Sequence, residues 1–292
     1  MEVKNHMYYL LVLSILVASV NSVFLKKAKV VERNQIIKFN LIAAFEWCII
    51  FLLINKGNIH LNTQVVFWGI VYGLTQALFI LFKTAAMNSG SVSVTTLIGN
   101  SSLLISVFFC AIVWNEKITV VDIVGLLILL VALFLCTYKK SNSTYTSKWK
   151  YFAFFFLVFA ALVGIVFKAF GKTGNLDYCD DMMFVSAVVM LICYLISGFA
   201  FGGFNFKSSD KTYTKYFLIY AIICGILSCL YNRLNIYLTA NLNAIIFFPS
   251  FNGGVILALA LLSSVFCKEK ITLKQKLGIL IGIIAICLIG TF

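Results

Sequence analysis

The chain has 292 residues, of which 62% are hydrophobic and only 11% charged, and its mean hydropathy is +1.02. Soluble domains carry about 25% charged residues, so a water-soluble globular protein is excluded, and the polar connections at 137–150 and 202–215 are too short to fold alone. The net charge of +13 is spread over short segments and not gathered on one face, which argues against a nucleic-acid partner.

A membrane-spanning helix needs about 20 mostly apolar residues to cross roughly 30 Å of hydrocarbon. Ten such stretches follow one another, at 7–27, 36–54, 64–86, 92–114, 119–138, 150–171, 181–201, 215–238, 244–266 and 272–291. The expected fold is an all-α membrane protein of ten transmembrane helices. The first stretch has no small-residue cleavage site behind a short apolar core, so it reads as a retained span and not a signal peptide. The nine cysteines are scattered and mostly intrahelical. They read as small hydrophobes, because no pair has metal-ligand spacing and nothing outlines a disulfide framework. His6 and His60 stand near helix ends without a Cys or acidic cluster and read as loop residues.

Polar side chains inside these stretches need a reason, since an ionisable group at the bilayer centre costs at least about 2.5–3.5 kcal/mol. Glu46, beside Trp47 midway along helix two, is the one acid placed at a helix centre. It is a candidate to exchange a proton or to bind a cationic group. The alternative is a hydrogen-bonded glutamate that braces a neighbouring helix. Lys83 in helix three and Arg233 in helix eight read either as charged gates or substrate contacts, with Arg233 suited to a carboxylate or phosphate, or as snorkelling cations. Lys26, Lys27 and Lys168 lie closer to helix ends, where snorkelling is the expectation. Asn21, Gln76, Asn100, Asn232, Asn235 and Asn252, with Ser22, Thr75, Thr95 and Thr96, place amides and hydroxyls in helices one, three, four, eight and nine. Any one of them can serve interhelical hydrogen bonding; together they outline a polar cavity.

The chain also repeats itself. Asn-Glu-Lys-Ile-Thr at 115–119 with Gly125 matches Lys-Glu-Lys-Ile-Thr at 268–272 with Gly278 at one constant offset. Upstream, Val23-Phe24-Leu25-Lys26 resembles Ile165-Val166-Phe167-Lys168. Each half then holds five helices, residues 1–140 and 150–292 within one integral membrane domain. An odd number of spans inverts the second half relative to the first. Inverted repeats of this kind characterise secondary transporters, with the substrate near the midplane and alternating access around it.

Ten helices as five plus five, the paired Glu-Lys-Ile-Thr turn, and the Gly six residues after each Thr resemble the drug/metabolite transporter superfamily, particularly its EamA-type members. Pro249 matches a proline common in the family's ninth helix, whereas helix four departs with Thr96 in that place. The resemblance implies a multi-pass transporter of a bacterial inner or plasma membrane that moves a small polar metabolite such as an amino acid, amine, sugar or nucleobase. No glycine-rich phosphate loop, nucleophile with partner base or metal cluster is present in the sequence, so neither an enzyme nor a cofactor is expected. The expected partners are a small-molecule substrate, the lipid bilayer and protons as coupling ion, with a monomer compatible with the sequence. An anion or phosphorylated-metabolite exchanger, a lipid-linked sugar flippase and a non-transporting membrane scaffold are the alternatives.

Orientation divides the two lines of argument. Loops after odd-numbered helices and their flanks carry fifteen Lys and Arg residues, against five on the opposite face. Cationic residues concentrate in cytoplasmic loops, which places both termini outside. The family resemblance implies both inside.

Overall fold

The computed structural model describes residues 2–28, 30, 32–137, 146–200, 211–266 and 271–289. These form ten α-helices, α1 (Glu2–Lys27), α2 (Arg33–Ile54), α3 (Thr63–Ser89), α4 (Val92–Trp114), α5 (Val120–Thr137), α6 (Trp149–Gly171), α7 (Cys179–Ala200), α8 (Lys211–Asn241), α9 (Ala244–Phe266) and α10 (Leu273–Leu288), with one 3₁₀ turn at Leu176–Tyr178. No strand occurs among the described residues. Lipid offers no partner to a bare peptide group, so helices that satisfy their own backbones are what such apolar runs must form. Nine are long and apolar enough to span a bilayer. The described part of α10 has 16 residues, which at 1.5 Å per residue covers only about 24 Å. The repeat half at 268–270 that includes Glu269 lies outside the described residues.

The outer surface is apolar, with Leu53, Ile112, Val120 and Phe199 among its exposed residues. In water such a surface would aggregate; against acyl chains it is the expected one. Inside, α1 packs against α8 and α9, while α6 packs against α3 and α4. The pairs α2 with α7, α4 with α9 and α5 with α10 complete the bundle.

The repeated turn has a local explanation. Thr119 accepts the Asp122 N–H through Oγ1, and Asp122 Oδ2 accepts the Thr119 N–H at 3.0 Å, a reciprocal cap that starts α5. Thr272 and Gln275 make the same box at the start of α10. Each box satisfies backbone donors that a helix N-terminus leaves open. The glycine that follows serves packing between the two capped helices. A methyl group at Gly125 would stand 2.7 Å from Ile289 and 3.4 Å from the Ala285 carbonyl, and one at Gly278 would stand 2.7 Å from Cys136 and 2.9 Å from the Ala132 carbonyl. Gly125 and Gly278 occupy the same position in their helices, as do Ala132 and Ala285. The contact is therefore reciprocal.

A second glycine pair joins the other helices. Gly73 of α3 and Gly225 of α8 each lie sixteen residues before the end of their helix. Gly73 abuts Ser186 and Val189 of α7, and Gly225 abuts Ala43 and Glu46 of α2. Two like crossings thus meet unlike side chains, a valine in one and a carboxylate in the other.

Candidate functional site

Glu46 projects from α2 onto the backbone of α8 at Gly225, where only a residue without a side chain leaves room for it. Both of its carboxylate oxygens are shut off from solvent and have no hydrogen-bond partner among the described residues. Next to it, Trp47 is buried, and its indole N–H is shared between the Gly225 carbonyl at 3.1 Å and the Ser228 hydroxyl at 2.9 Å. Trp47 is thus a strut that fixes α2 against α8 and holds Glu46 at the crossing. Asn21 of α1 reaches the same stretch of α8, since its carbonyl lies 3.7 Å from the Cys224 thiol. Its side-chain oxygen is also buried without a partner. The structure therefore brings Asn21, Glu46 and Trp47 together around Cys224–Ser228, with α8 as a common neighbour that no local pattern of residues announces.

Gln76 and Asn100 lie on α3 and α4. Gln76 Oε1 and Asn100 Nδ2 are likewise buried and unpartnered. A buried polar atom without a partner typically costs about 1–3 kcal/mol, so four such residues in α1–α4 amount to unused bonding capacity inside the bundle. Three of them, Asn21, Glu46 and Gln76, are short of a donor; Asn100 is short of an acceptor.

Other polar candidates prove to be connectors. Asn235 accepts the Ser14 hydroxyl at 2.7 Å, which ties α8 to α1, and Asn232 accepts from Tyr72 at 3.3 Å, which ties α8 to α3. Thr95 accepts the Trp149 indole N–H at 3.1 Å. Thr75 and Thr96 return their hydroxyls to their own helices. Asn252 sits in α9 one residue before Gly253, which receives Leu129 and Ile286 from α5 and α10.

The cations separate into three cases. Arg233 grips Asp180 with both prongs of its guanidinium, Nε to Oδ1 at 2.6 Å and Nη2 to Oδ2 at 2.8 Å, with its side chain 49% exposed. Lys83 stands 5.7 Å from the centre of the Phe79 ring, within reach of a cation–π attraction. Counted from the helix end, Asn235 of α8 stands where Lys83 stands in α3. Lys168 departs from the snorkelling expectation. It is completely buried, forms an ion pair with Glu116 and donates to the Leu242 carbonyl at 3.0 Å. An ammonium already held by a carboxylate and a carbonyl has no need of the headgroups.

The EamA-like transporter family matches residues 6–138, from α1 to the end of α5. That family lies within the drug/metabolite transporter superfamily. Residues 6–138 are thus similar to the EamA-like transporter family. Among solved structures, 28 chains match. A crystal structure of one such protein superposes with a TM-score of 0.72, covering 98% of this chain and 98% of that one at 11% identity. At that identity the likeness shows a shared fold. No curated protein sequence matches the chain. The EamA-like segment contains all four residues with unpartnered polar atoms in α1–α4, as well as Trp47, Lys83 and Glu116, whereas Lys168, Arg233 and Asn252 lie beyond it. The chain is accordingly a multi-pass helical membrane protein whose residues 6–138 resemble a transporter family.

Proposed function

We propose that the chain is a secondary transporter of a small polar metabolite rich in N–H or O–H donors. It works by alternating access between two inverted five-helix repeats, residues 1–140 and 150–292, with Glu46 as the coupling or binding carboxylate. The observation that carries this reading is Glu46 itself, a carboxylate with both oxygens buried and unpartnered at a crossing whose counterpart holds Val189. A group kept purely for packing would be apolar there, as Val189 is against Gly73. An unpaired buried carboxylate requires a donor, and either a proton or the N–H of a bound metabolite supplies one. The reciprocal α5–α10 glycine contacts and the matching exchange of partners by α1 and α6 support the inverted repeat. The anion-exchanger alternative is weakened because Asp180 already occupies the fork of Arg233.

A thermal-shift screen of the purified protein against metabolites tests the reading. A ligand that binds only the folded state stabilises it by RT ln(1 + [L]/Kd), about 2.7 kcal/mol at a hundredfold excess over Kd. The expected hits carry an amino group or several hydroxyls, and their shift is lost in Glu46→Gln. A hit whose shift survives unchanged in Glu46→Gln makes Glu46 a structural residue.

A further inference from the structure

The α8–α9 junction presents two exposed chain ends in immediate succession. The α8 helix stops at Asn241, leaving carbonyls such as that of Leu242 without intrahelical donors, and α9 begins at Ala244 with free N–H groups. A cation suits the first and an anion the second, because helix dipoles place partial negative charge at a C-terminus and positive charge at an N-terminus. One ion pair serves both. Lys168, near the end of α6, donates to the Leu242 carbonyl at 3.0 Å, and Glu116, in the turn between α4 and α5, accepts the Ala244 N–H at 2.6 Å. Lys168 and Glu116 are bonded to each other. Five helices, α4, α5, α6, α8 and α9, converge on this clasp.

The clasp lies where the end of the bundle is drawn shut. A methyl at Gly171, the last residue of α6, would meet the Ala240 Cβ of α8 at 2.5 Å, so these two helices are in backbone contact. One turn earlier, Phe167 of α6 stacks on Tyr72 of α3 at 4.3 Å, and Tyr72 donates to Asn232 of α8. Among the described residues α6 packs on α8, but α1 makes no comparable contact with α3, although those helices are the counterparts in the repeat. The bundle is therefore tighter at one end than the repeat alone would make it.

We infer that Lys168 and Glu116 form a latch that holds this end of the transport pathway closed and must release for the site around Glu46 to open towards it. The inference rests on the alternating-access reading above. Both latch residues are members of the repeated motifs: Lys168 matches Lys26 and Glu116 matches Glu269. A buried pair broken by loss of one partner leaves an uncompensated charge, which gives the latch two discrete states and no stable intermediate.

The experiment is cysteine accessibility, read site by site by mass spectrometry in proteoliposomes so that native cysteines do not interfere. Thr239→Cys reports the latched end, since Thr239 is buried in α8 beside the α6 contact. Met87→Cys, two residues before the end of α3 as Thr239 is before the end of α8, reports the other end. Glu116→Gln keeps an acceptor for Ala244 but removes the charge. It is expected to raise labelling at position 239 on the order of tenfold and to lower it at position 87. The double variant Glu116→Gln/Lys168→Met leaves no unpaired ion and should shift labelling in the same direction if the single variant folds poorly. Unchanged labelling at 239, or an equal rise at both positions, overturns the latch, the second because it would mark general loosening. No metabolite enters the assay, so failure of the latch is distinct from failure of the transport reading, which the ligand screen reports.

Discussion

Gly278→Ala is expected to destabilise the bundle measurably, and the structure predicts how it differs from Gly125→Ala at the equivalent position. A Cβ at 278 would lie 2.7 Å from Cys136 Sγ, 2.9 Å from the Ala132 carbonyl oxygen and 3.0 Å from Leu135 Cβ. Two of these three atoms are fixed to the α5 backbone, so α10 must move outward. Overpacking of this kind costs about 1–3 kcal/mol, and the better helix propensity of alanine returns about 1 kcal/mol at most. The net loss is about 1–2 kcal/mol, or roughly 2–8 °C in apparent melting temperature at about 2–4 °C per kcal/mol. At 125 the close atom is Ile289 Cγ1, at 2.7 Å, while the Ala285 carbonyl is 3.4 Å away. An isoleucine side chain can rotate aside, so Gly125→Ala is expected to be near neutral. Thermal unfolding of both variants in detergent, followed by intrinsic tryptophan fluorescence, gives the comparison. A Gly278→Ala variant as stable as the parent, or a Gly125→Ala variant less stable than it, would refute the assigned α5–α10 contact.

Three further outcomes follow from the same geometry. Trp47→Phe removes the shared N–H to Gly225 and Ser228 and should cost about 1–3 kcal/mol of stability; an unchanged melting temperature would mean that α2 and α8 are held otherwise. Asp180→Asn weakens the Arg233 fork at a site where Arg233 is 49% exposed, so its effect on stability should stay below about 1 kcal/mol; a larger loss would show the pair to be a principal tie between α7 and α8. A reporter active only in the cytoplasm, fused after Phe292, should be silent if the fifteen-to-five bias of Lys and Arg sets the topology, and strong activity would place the termini inside.

Helix positions were legible in the sequence where apolar runs end on turn residues. The expected 92–114 and 244–266 coincide with α4 and α9, because Asn115-Glu116-Lys117 and Asn241-Leu242-Asn243 interrupt hydropathy and helix together. Where polar residues continue a helix beyond the apolar zone, hydropathy misplaces the end: α8 runs over Lys211–Asn241 and not 215–238. The prominence of Glu46 was legible from its position alone. Its neighbour was not, since a crossing between α2 and α8 depends on a glycine distant in sequence. Lys168 illustrates the same limit more sharply. Near a helix end an isolated lysine snorkels, and only the fold reveals that a carboxylate from the α4–α5 turn and a carbonyl from the α8–α9 junction await it.

The inverted repeat is the premise on which transport, coupling and the latch all depend, and sidedness tests it most directly. Single cysteines at Lys117 and Lys270, in the two copies of the repeated turn, are labelled with a membrane-impermeant maleimide in sealed vesicles before and after permeabilisation. One is expected to react in intact vesicles and the other only once the membrane is opened. Both reacting from the same side would contradict the inverted repeat.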